Sequence, residues 1–321
     1  MIRWGIAGPG GIAGRFVDAM SLVETGTVNA VASRSIERAD AFADAAGIPG
    51  RHGDYESLAG DPDVDVVYVA TPNSRHEADA SMYLSAGKHV LCEKPMALDA
   101  AQATRMADLA REQGLFLMEA IWSRFLPSYR RMVDLVESGL IGDVLLVEAD
   151  FGLRMPFDPA HRLFDRSLGG GGLLDLGIYP VQLCHLLLGE PAAVAAAGSL
   201  VSTGVDGNVA AVLTHADGAL GVAEASLTVS TSCTARISGT DGWIDLPPFM
   251  HCPESLTITH SGGRETIETP WEGDGLRFEI EHVHRCLGSG ALESPDVRLS
   301  DTIAIARTLD AVREQVGVIY G

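Results

Sequence analysis

Two polar side chains in the middle of the chain have a spacing that suits proton transfer. Asp175 and Tyr179 lie four residues apart in a segment that we predict to be a helix over 173–188, so both fall on one helix face. A tyrosine phenolate can accept a proton from an alcohol, and a nearby ammonium would stabilise that phenolate by lowering the ordinary tyrosine pKa of about 10. Taken alone, Tyr179 is more often a packing residue, and Asp175 could equally be a helix cap or an ion-pair partner.

A glycine-rich loop at the start of the chain predicts a dinucleotide site. It has the pattern G-x-G-x-x-A and stands between a predicted strand, 2–7, and the first helix. Gly8 permits the tight turn, Gly10 lets the backbone approach a pyrophosphate, and Ala13 allows the helix to pack closely on the strand. The N–H groups of the helix N-terminus, including those of Gly11 and Ile12, would face the phosphates.

The end of the second predicted strand indicates which dinucleotide is bound. NAD sites usually carry Asp or Glu there to hold the ribose 2′-hydroxyl, but this strand, 28–32, ends in Ser33-Arg34. Ser33 can hydrogen-bond a 2′-phosphate, and Arg34 and Arg38 can neutralise it. We therefore expect NADP, with NAD less favoured; Arg34 could otherwise be a solvated helix-start residue.

Polar residues also follow the next two strands, predicted over 65–70 and 89–92. Thr71 and Asn73 come after the first and could line the cofactor ribose, although a plain turn would explain them too. Glu93-Lys94-Pro95 comes after the second. The chain has only two lysines, and an ammonium can exchange protons whereas a guanidinium effectively cannot. We assign Glu93, Lys94 and His76 to the cofactor side, while His76 could be only a surface residue.

The surrounding elements predict two domains of different kinds. Strands and helices alternate up to about residue 121, and a fifth strand is expected at 115–118, which indicates a doubly wound parallel sheet. A capping box, Ser74 to Glu77, predicts the start of one helix. Strands broken by Asp-Gly turns at 206, 217 and 241 then indicate an open, mainly antiparallel sheet in an α+β domain. We place a Rossmann domain at 1–121 and a substrate and oligomerisation domain at 122–321.

Composition excludes several classes of partner. The net charge of −20 makes nucleic acid and anionic lipid improbable. No apolar run approaches the roughly 20 residues of a membrane span, and no leader is seen, so we expect a cytoplasmic protein. Five widely spaced Cys without a C-x-x-C pair, and two His in a helix-like segment that point to different faces, predict no metal site.

Four segments together resemble the Gfo/Idh/MocA oxidoreductase family, named for glucose–fructose oxidoreductase and inositol dehydrogenase. They are the glycine loop, Ala70 to Asn73, Glu93 to Pro95, and Gly170 to Tyr179. Met118 to Pro127 and Arg162 to Phe164 resemble, more narrowly, the branch with dimeric dihydrodiol dehydrogenase and NADP-dependent D-xylose dehydrogenase. That branch also carries Tyr at the position of Tyr179.

The resemblance implies a function and several site residues. Lys94 and Tyr179 would be catalytic, with Asp175 contributing, and Trp122, Arg124, Arg162 and Phe164 would approach the substrate. The expected activity is NADP-dependent hydride transfer at a carbinol carbon of a sugar, polyol or cyclic trans-diol, without metal. The alternatives are an enzyme that retains and internally recycles its cofactor, as in glucose–fructose oxidoreductase or redox-assisted glycosidases, and a non-catalytic NADP sensor. A homodimer or higher oligomer through the second sheet is expected, with Val209, Ala211 and Leu213 as candidates for an apolar outer face.

Overall fold

The structure is a computed structural model that describes residues 1–320. It divides into two compact units. The first consists of Met1–Ala97, Ala101–Phe125 and Glu272–Thr302, and the second of Leu98–Ala100, Leu126–Trp271 and the chain from Ile303 on. The predicted domains, 1–121 and 122–321, are continuous, whereas the first unit also takes in Glu272–Thr302, because that segment packs against the first helix.

The first unit is a six-stranded parallel sheet with helices. The strands are β1 (Ile2–Ala7), β2 (Gly26–Ala32), β3 (Gly50–His52), β4 (Val66–Val69), β5 (His89–Glu93) and β6 (Leu117–Ala120). The helices are α1 (Gly11–Met20), α2 (Ile36–Ala46), α3 (Tyr55–Ala59), α4 (His76–Ser85), α5 (Ala100–Gln113) and α8 (Leu276–Gly288). The strand order β3-β2-β1-β4-β5-β6 confirms the predicted doubly wound fold.

Two details of this unit differ from the prediction. The short strand β3 and helix α3 carry too few residues to show a periodic pattern, and neither was predicted. The capping box at Ser74 is wrong: Asn73–Arg75 forms a 3-10 turn, and α4 begins at His76 with no side-chain cap. The backbone N–H of Arg75 donates instead to the carbonyl of Pro72, which tightens the turn ahead of the helix.

The second unit is an eight-stranded, mainly antiparallel sheet. Its strands are β7 (Val144–Gly152), β8 (Ala193–Leu200), β9 (Asp206–Thr214), β10 (Leu220–Ser226), β11 (Ala235–Gly239), β12 (Gly242–Leu246), β13 (Ser255–His260) and β14 (Gly263–Glu268). The helices are α6 (Pro127–Glu137), α7 (Ile178–Leu188) and α9 (Leu299–Val316), whose first turn belongs to the first unit. The order β14-β13-β12-β11-β7-β10-β9-β8 contains one parallel pair, β7 with β10, and confirms the predicted open sheet.

Three expectations for the second unit are corrected. Asp206-Gly207 is not a turn: both residues are buried at the start of β9, and the chain turns before them. Val209, Ala211 and Leu213 lie on the buried face of β9, so the outer face carries Ala210, Val212 and Thr214 instead. The predicted helix 173–188 begins as a π-helix, Leu173–Gly177, before α7.

One helical stretch, Arg166–Leu188, meets the length and composition of a membrane span, contrary to the expectation that no run would do so. Of its most apolar window, 78% is buried inside the protein. In the second unit α7 lies against β7 and β10, and Gly221 of β10 leaves room for the thiol of Cys184. The apolar character of this stretch therefore matches a helix that packs on a sheet.

A buried histidine of α8, His284, joins this helix to β1 and to the residue that precedes β2. The indole N–H of Trp4 donates to Nε2 of His284 at 2.8 Å, so the neutral ring donates from Nδ1 to the hydroxyl of Thr25 at 2.7 Å. Burial, helped by the nearby N-terminal ammonium, lowers the pKa of His284 to about 4.

This histidine predicts a pH-dependent loss of stability. Between pH 6.5 and about 4 the unfolded chain binds a proton at His284 that the folded protein excludes, so the free energy of unfolding falls as pH falls, by roughly 2–3 kcal/mol. His284→Gln lowers stability at neutral pH but lacks this dependence. Urea unfolding at several pH values should show the two proteins converging as the pH drops; a constant difference between them contradicts the assignment.

Candidate active site

The glycine loop forms an open cradle at the carboxyl end of β1. Gly8 has φ +96°, and a Cβ there would lie 2.8 Å from the carbonyl oxygen of Ala70, so only glycine fits. Gly10 is the N-cap residue of α1 and provides no capping side chain. A Cβ on Gly10 or Gly11 would meet nothing within 4 Å, while Ala13 is fully buried. The loop thus leaves space in front of the helix N-terminus, as a pyrophosphate requires.

Thr71 marks the neighbouring strand end. Its side chain is buried at the end of β4, and its hydroxyl has no hydrogen-bond partner within residues 1–320. A buried hydroxyl without a partner is uncommon, because its desolvation is uncompensated. Asn73, which begins the 3-10 turn, lies partly exposed just beyond it. The contact of Thr71 and Asn73 with a cofactor ribose stays a prediction, and the unpartnered hydroxyl of Thr71 is consistent with it.

His76 braces the site from behind. It is fully buried, and its ring nitrogens face the carbonyl oxygens of Thr71 and Pro95, each at 2.8 Å. Burial lowers its pKa, and the two carbonyls oppose that shift. His76 is therefore neither a surface residue nor placed to touch a cofactor, because both ring nitrogens are engaged inside the protein. It ties the loop after β4 to the loop after β5.

Glu93 and Lys94 stand at the end of β5. The buried Glu93 carboxylate accepts hydrogen bonds from the hydroxyl of Tyr68 and from the backbone N–H of Lys94, the latter at 3.1 Å. Burial, followed by the Glu93 charge, raises the pKa of Tyr68 well above its ordinary value. Glu93 therefore orients the backbone of Lys94, whose side chain is half-buried.

Two buried glutamates near Glu93 were missed by sequence reasoning. Glu119 accepts the N–H of Met96 at 2.8 Å, and Glu279 of α8 is completely buried with both carboxyl oxygens lacking partners in the described chain. Burial first, and then the charge of Glu93, raises the pKa of Glu279 well above its ordinary value; burial also raises that of Glu119. Nothing in the local sequence distinguishes them from solvated glutamates.

The cofactor-selecting residues lie at the end of β2. Ser33 is buried, with its N–H bonded to the carbonyl of His52, whereas Arg34 and Arg38 are exposed. Both guanidiniums act electrostatically on Tyr55, together with Arg75. Arg34 and Arg38 are therefore accessible to a ligand, while Ser33 offers little accessible surface.

Trp122 and Arg124 follow β6 and are buried. The guanidinium of Arg15 lies 5.1 Å from the centre of the Trp122 ring, and a two-bond ion pair with Asp274, at 2.7 and 2.9 Å, holds it there. Arg124 donates to the carbonyl of Asp296 at 3.3 Å. The contact of these two residues with substrate stays a prediction.

In the second unit a buried carboxylate fixes the glycine run. Asp206 accepts the N–H of Leu173 at 2.6 Å, and a Cβ on Gly171, whose φ is +124°, would lie 2.3 Å from its other oxygen. Burial raises the pKa of Asp206 to about 6. The run therefore has to be glycine, and it starts the π-helix that carries Asp175. π-Helical turns occur frequently at functional sites.

Asp175 and Tyr179 stand on this turn and on α7. Asp175 forms an ion pair with Arg162 at 2.9 Å, a partner the sequence did not predict. The buried ring of Tyr179 lies 5.7 Å from that of Phe151 and 4.8 Å from that of His251. Sequence reasoning missed Phe151 and His251, since they come from β7 and from the loop after β12.

Phe164 lines a separate apolar cleft of the second unit. The cleft has a volume of about 580 Å³, and Phe157 packs edge-on against Phe164 at 5.1 Å. Arg162 precedes Phe164 and pairs with Asp175, so this segment joins the cleft to the proposed acid–base helix. Within residues 1–320 no three His, Cys, Asp or Glu side chains are grouped to hold a metal ion.

Comparison with known proteins gives consistent matches. Residues 2–121 match the oxidoreductase family model with an NAD-binding Rossmann fold, and residues 129–245 match the GFO/IDH/MocA C-terminal domain. The chain is 38% identical to trans-1,2-dihydrobenzene-1,2-diol dehydrogenase of Xenopus laevis, over 99% of both chains.

Two solved structures are similar over nearly the whole chain. A 3-ketoreductase from Actinomadura kijaniata, in complex with NADP and TDP-benzene, has a TM-score of 0.87 and 29% identity, with 98% of each chain covered. An aldose-aldose oxidoreductase from Caulobacter crescentus, complexed with glycerol, has a TM-score of 0.90 and 28% identity, with 98% of this chain and 97% of that chain covered.

Proposed function

We propose that this chain, which belongs to the Gfo/Idh/MocA oxidoreductase family, is an NADP-dependent dehydrogenase that acts on a carbinol carbon of a sugar or cyclic diol. The observation that carries the proposal is the carboxyl edge of the first sheet. There the open glycine loop adjoins the loop after β4, which carries the unpartnered hydroxyl of Thr71. His76 ties this loop after β4 to the loop after β5, which carries Lys94. The relatives named for a dihydrodiol and for aldoses support this substrate class.

The residues of the chain have separable tasks in this proposal. Bound NADP supplies or accepts the hydride. The loop from Gly8 to Ala13 binds the phosphates, Arg34 and Arg38 face the 2′-phosphate, and Thr71 and Asn73 face the ribose. Lys94 holds the substrate hydroxyl and provides the positive charge that stabilises a phenolate. The Tyr179 phenolate accepts the proton of the substrate hydroxyl. Asp175, whose carboxylate is held by Arg162, orients the substrate.

We also propose a cytoplasmic protein that pairs through the outer face of its second sheet. On that face Ala195, Val212 and Val222 stand side by side on β8, β9 and β10, and Val212 is exposed. A two-fold dimer lets one such patch meet its own copy. This corrected patch replaces the buried Val209, Ala211 and Leu213 as the contact surface.

The first prediction from the proposed function concerns the cofactor. We expect NADPH to bind at least about tenfold more tightly than NADH, a difference of about 1.4 kcal/mol that a charge-assisted contact can supply. Arg34→Asp removes the preference. Fluorescence titration of both cofactors measures it, with Arg111→Asp, an exposed change elsewhere in the first unit, as control. Equal affinity of the unmodified protein for both cofactors contradicts the proposal.

The second prediction concerns proton transfer. Tyr179→Phe removes the proposed proton acceptor and Lys94→Met removes the cation proposed to stabilise its phenolate, so each lowers kcat by about 10²–10⁴-fold while cofactor affinity changes little. Because both changes affect one step, the double variant should lose much less than the product of the two. The assay is NADPH absorbance with a panel of aldoses, inositols and trans-dihydrodiols.

Two outcomes would contradict these roles. A Tyr179→Phe variant within about threefold of the unmodified kcat excludes Tyr179 as the base, because loss of a general base costs far more. If the loss of kcat in the double variant equals the product of the two single losses, Lys94 does not act on the proton transfer. Phe151→Leu, which leaves both groups in place, controls for loss of packing around the Tyr179 ring.

The third prediction concerns assembly. Val212→Arg places a charge in the centre of the apolar patch, which is costly to bury at a symmetric interface because two charges meet there. Light scattering of the unmodified protein should give about twice the chain mass of 33.9 kDa, and the variant should be monomeric. Gln113→Arg, at the exposed end of α5 and outside the second sheet, is the control with the same change of charge. A monomeric unmodified protein removes the proposal.

A further inference from the structure

Three arginines of the first unit act electrostatically on one tyrosine, and one of them contacts its ring. The guanidinium of Arg75 lies 5.8 Å from the centre of the Tyr55 ring. Burial and the charge of Asp79 raise the pKa of the Tyr55 hydroxyl, whereas Arg34, Arg75 and Arg38 oppose that shift in this order. Each of the three cations is thus close enough to act on the same hydroxyl.

These arginines lie at a defined place in the fold. Arg34 follows β2 and Arg75 follows β4, and these strands lie on either side of β1 in the sheet. Because β1 leads into the glycine loop, the two arginines flank that loop at the same edge of the sheet. In folds of this type a bound dinucleotide lies across the carboxyl ends of the strands, with its pyrophosphate at the glycine loop and its ribose 2′-oxygen near the end of β2.

Asp79 holds Arg75 in one geometry. Its carboxylate accepts hydrogen bonds from Nη2 and Nε of Arg75, at 2.5 and 3.3 Å, and its side chain is 1% exposed. An i, i+4 ion pair on an exposed helix is flexible, but a buried carboxylate with one cation fixes that cation firmly. The pair uses two of the five N–H donors of the guanidinium, so others remain for a ligand.

Charge favours an anionic ligand at this position. Arg34 and Arg38 are exposed, Arg75 is half-exposed, and the acids that act on Arg75 are Asp79 and, more weakly, Glu56. Three like charges that act on the same hydroxyl also repel one another, and an oxyanion with several acceptor atoms relieves this repulsion. In a chain of net charge −20 such a basic cluster is unusual.

We propose that Arg75 is a third cation for the 2′-phosphate of NADP, joining Arg34 and Arg38, and that Asp79 is the residue that positions it. The inference rests on the proposed function, because it assigns a ligand atom group to that same cofactor site. It extends the selectivity for NADP from the loop after β2, where the sequence pattern indicates it, to the loop after β4.

The test measures binding in the absence of turnover. Calorimetric titrations compare NADPH, NADH, 2′,5′-ADP and 5′-AMP on the unmodified protein, Arg75→Gln, Asp79→Asn and the control Arg111→Gln. Arg75→Gln should weaken NADPH and 2′,5′-ADP about tenfold and NADH and 5′-AMP less than about twofold. The difference should shrink at about 0.5 M salt, because screening weakens the charge contact. Asp79→Asn should give the same pattern with a smaller factor.

The outcomes separate this inference from the proposed function. If Arg75→Gln keeps the unmodified ratio of NADPH to NADH affinity while Arg34→Asp removes it, Arg75 is not a phosphate ligand and the cofactor assignment stands. If the unmodified protein binds both cofactors equally, the cofactor assignment fails. Equal weakening of all four ligands by Arg75→Gln means a general structural role and also overturns the inference. Should Asp79→Asn not fold, Arg75→Gln alone decides.

Discussion

One buried imidazole links the two loops on which the chemistry of the first unit depends. The ring of His76 lies between the carbonyls of Thr71 and Pro95, both at 2.8 Å, and has no contact with solvent. A neutral imidazole donates a hydrogen bond to only one of the two carbonyls. Hydrogen bonds to both carbonyls require the protonated ring, which burial disfavours. The ring nevertheless sets the distance between the loop after β4 and the loop of Lys94. Any chemistry at Lys94 that uses a group held by Thr71 depends on this spacing.

The second unit has its own buried constraint, which is a carboxylate rather than an imidazole. Asp206 binds the N–H of Leu173 and lies against Gly171, so neither the glycine nor the start of the π-helix can change without moving the other. The wider π turn decides where Asp175 stands relative to Tyr179, and Arg162 then fixes the Asp175 side chain. The position of the proposed acid–base residues is therefore set by a residue that begins a distant strand.

Local patterns predicted the parts of the protein whose physics is local. The glycine loop, the strands that lead into Thr71 and Lys94, and the change from a parallel to an antiparallel sheet all follow from short motifs and periodicity. Asp206 was misread as a turn because Asp-Gly is a strong local turn signal, and only its contact with Leu173, 33 residues away, shows its role. The face of β9 was assigned wrongly for a similar reason, since alternation defines two faces but only the packing of the π-helix Leu173–Gly177 on β9 shows which is covered.

Electrostatics joins the proposed site to the composition of the whole chain. With a net charge of −20, the general field repels a phosphorylated cofactor, so binding has to come from cations at short range. Arg34 and Arg38 alone would be mobile, exposed side chains, and much of their contribution would be lost in ordering them. A guanidinium already fixed by a buried carboxylate avoids that entropy cost. Asp79 therefore contributes to anion binding even though it carries a negative charge, because it makes the geometry of Arg75 permanent.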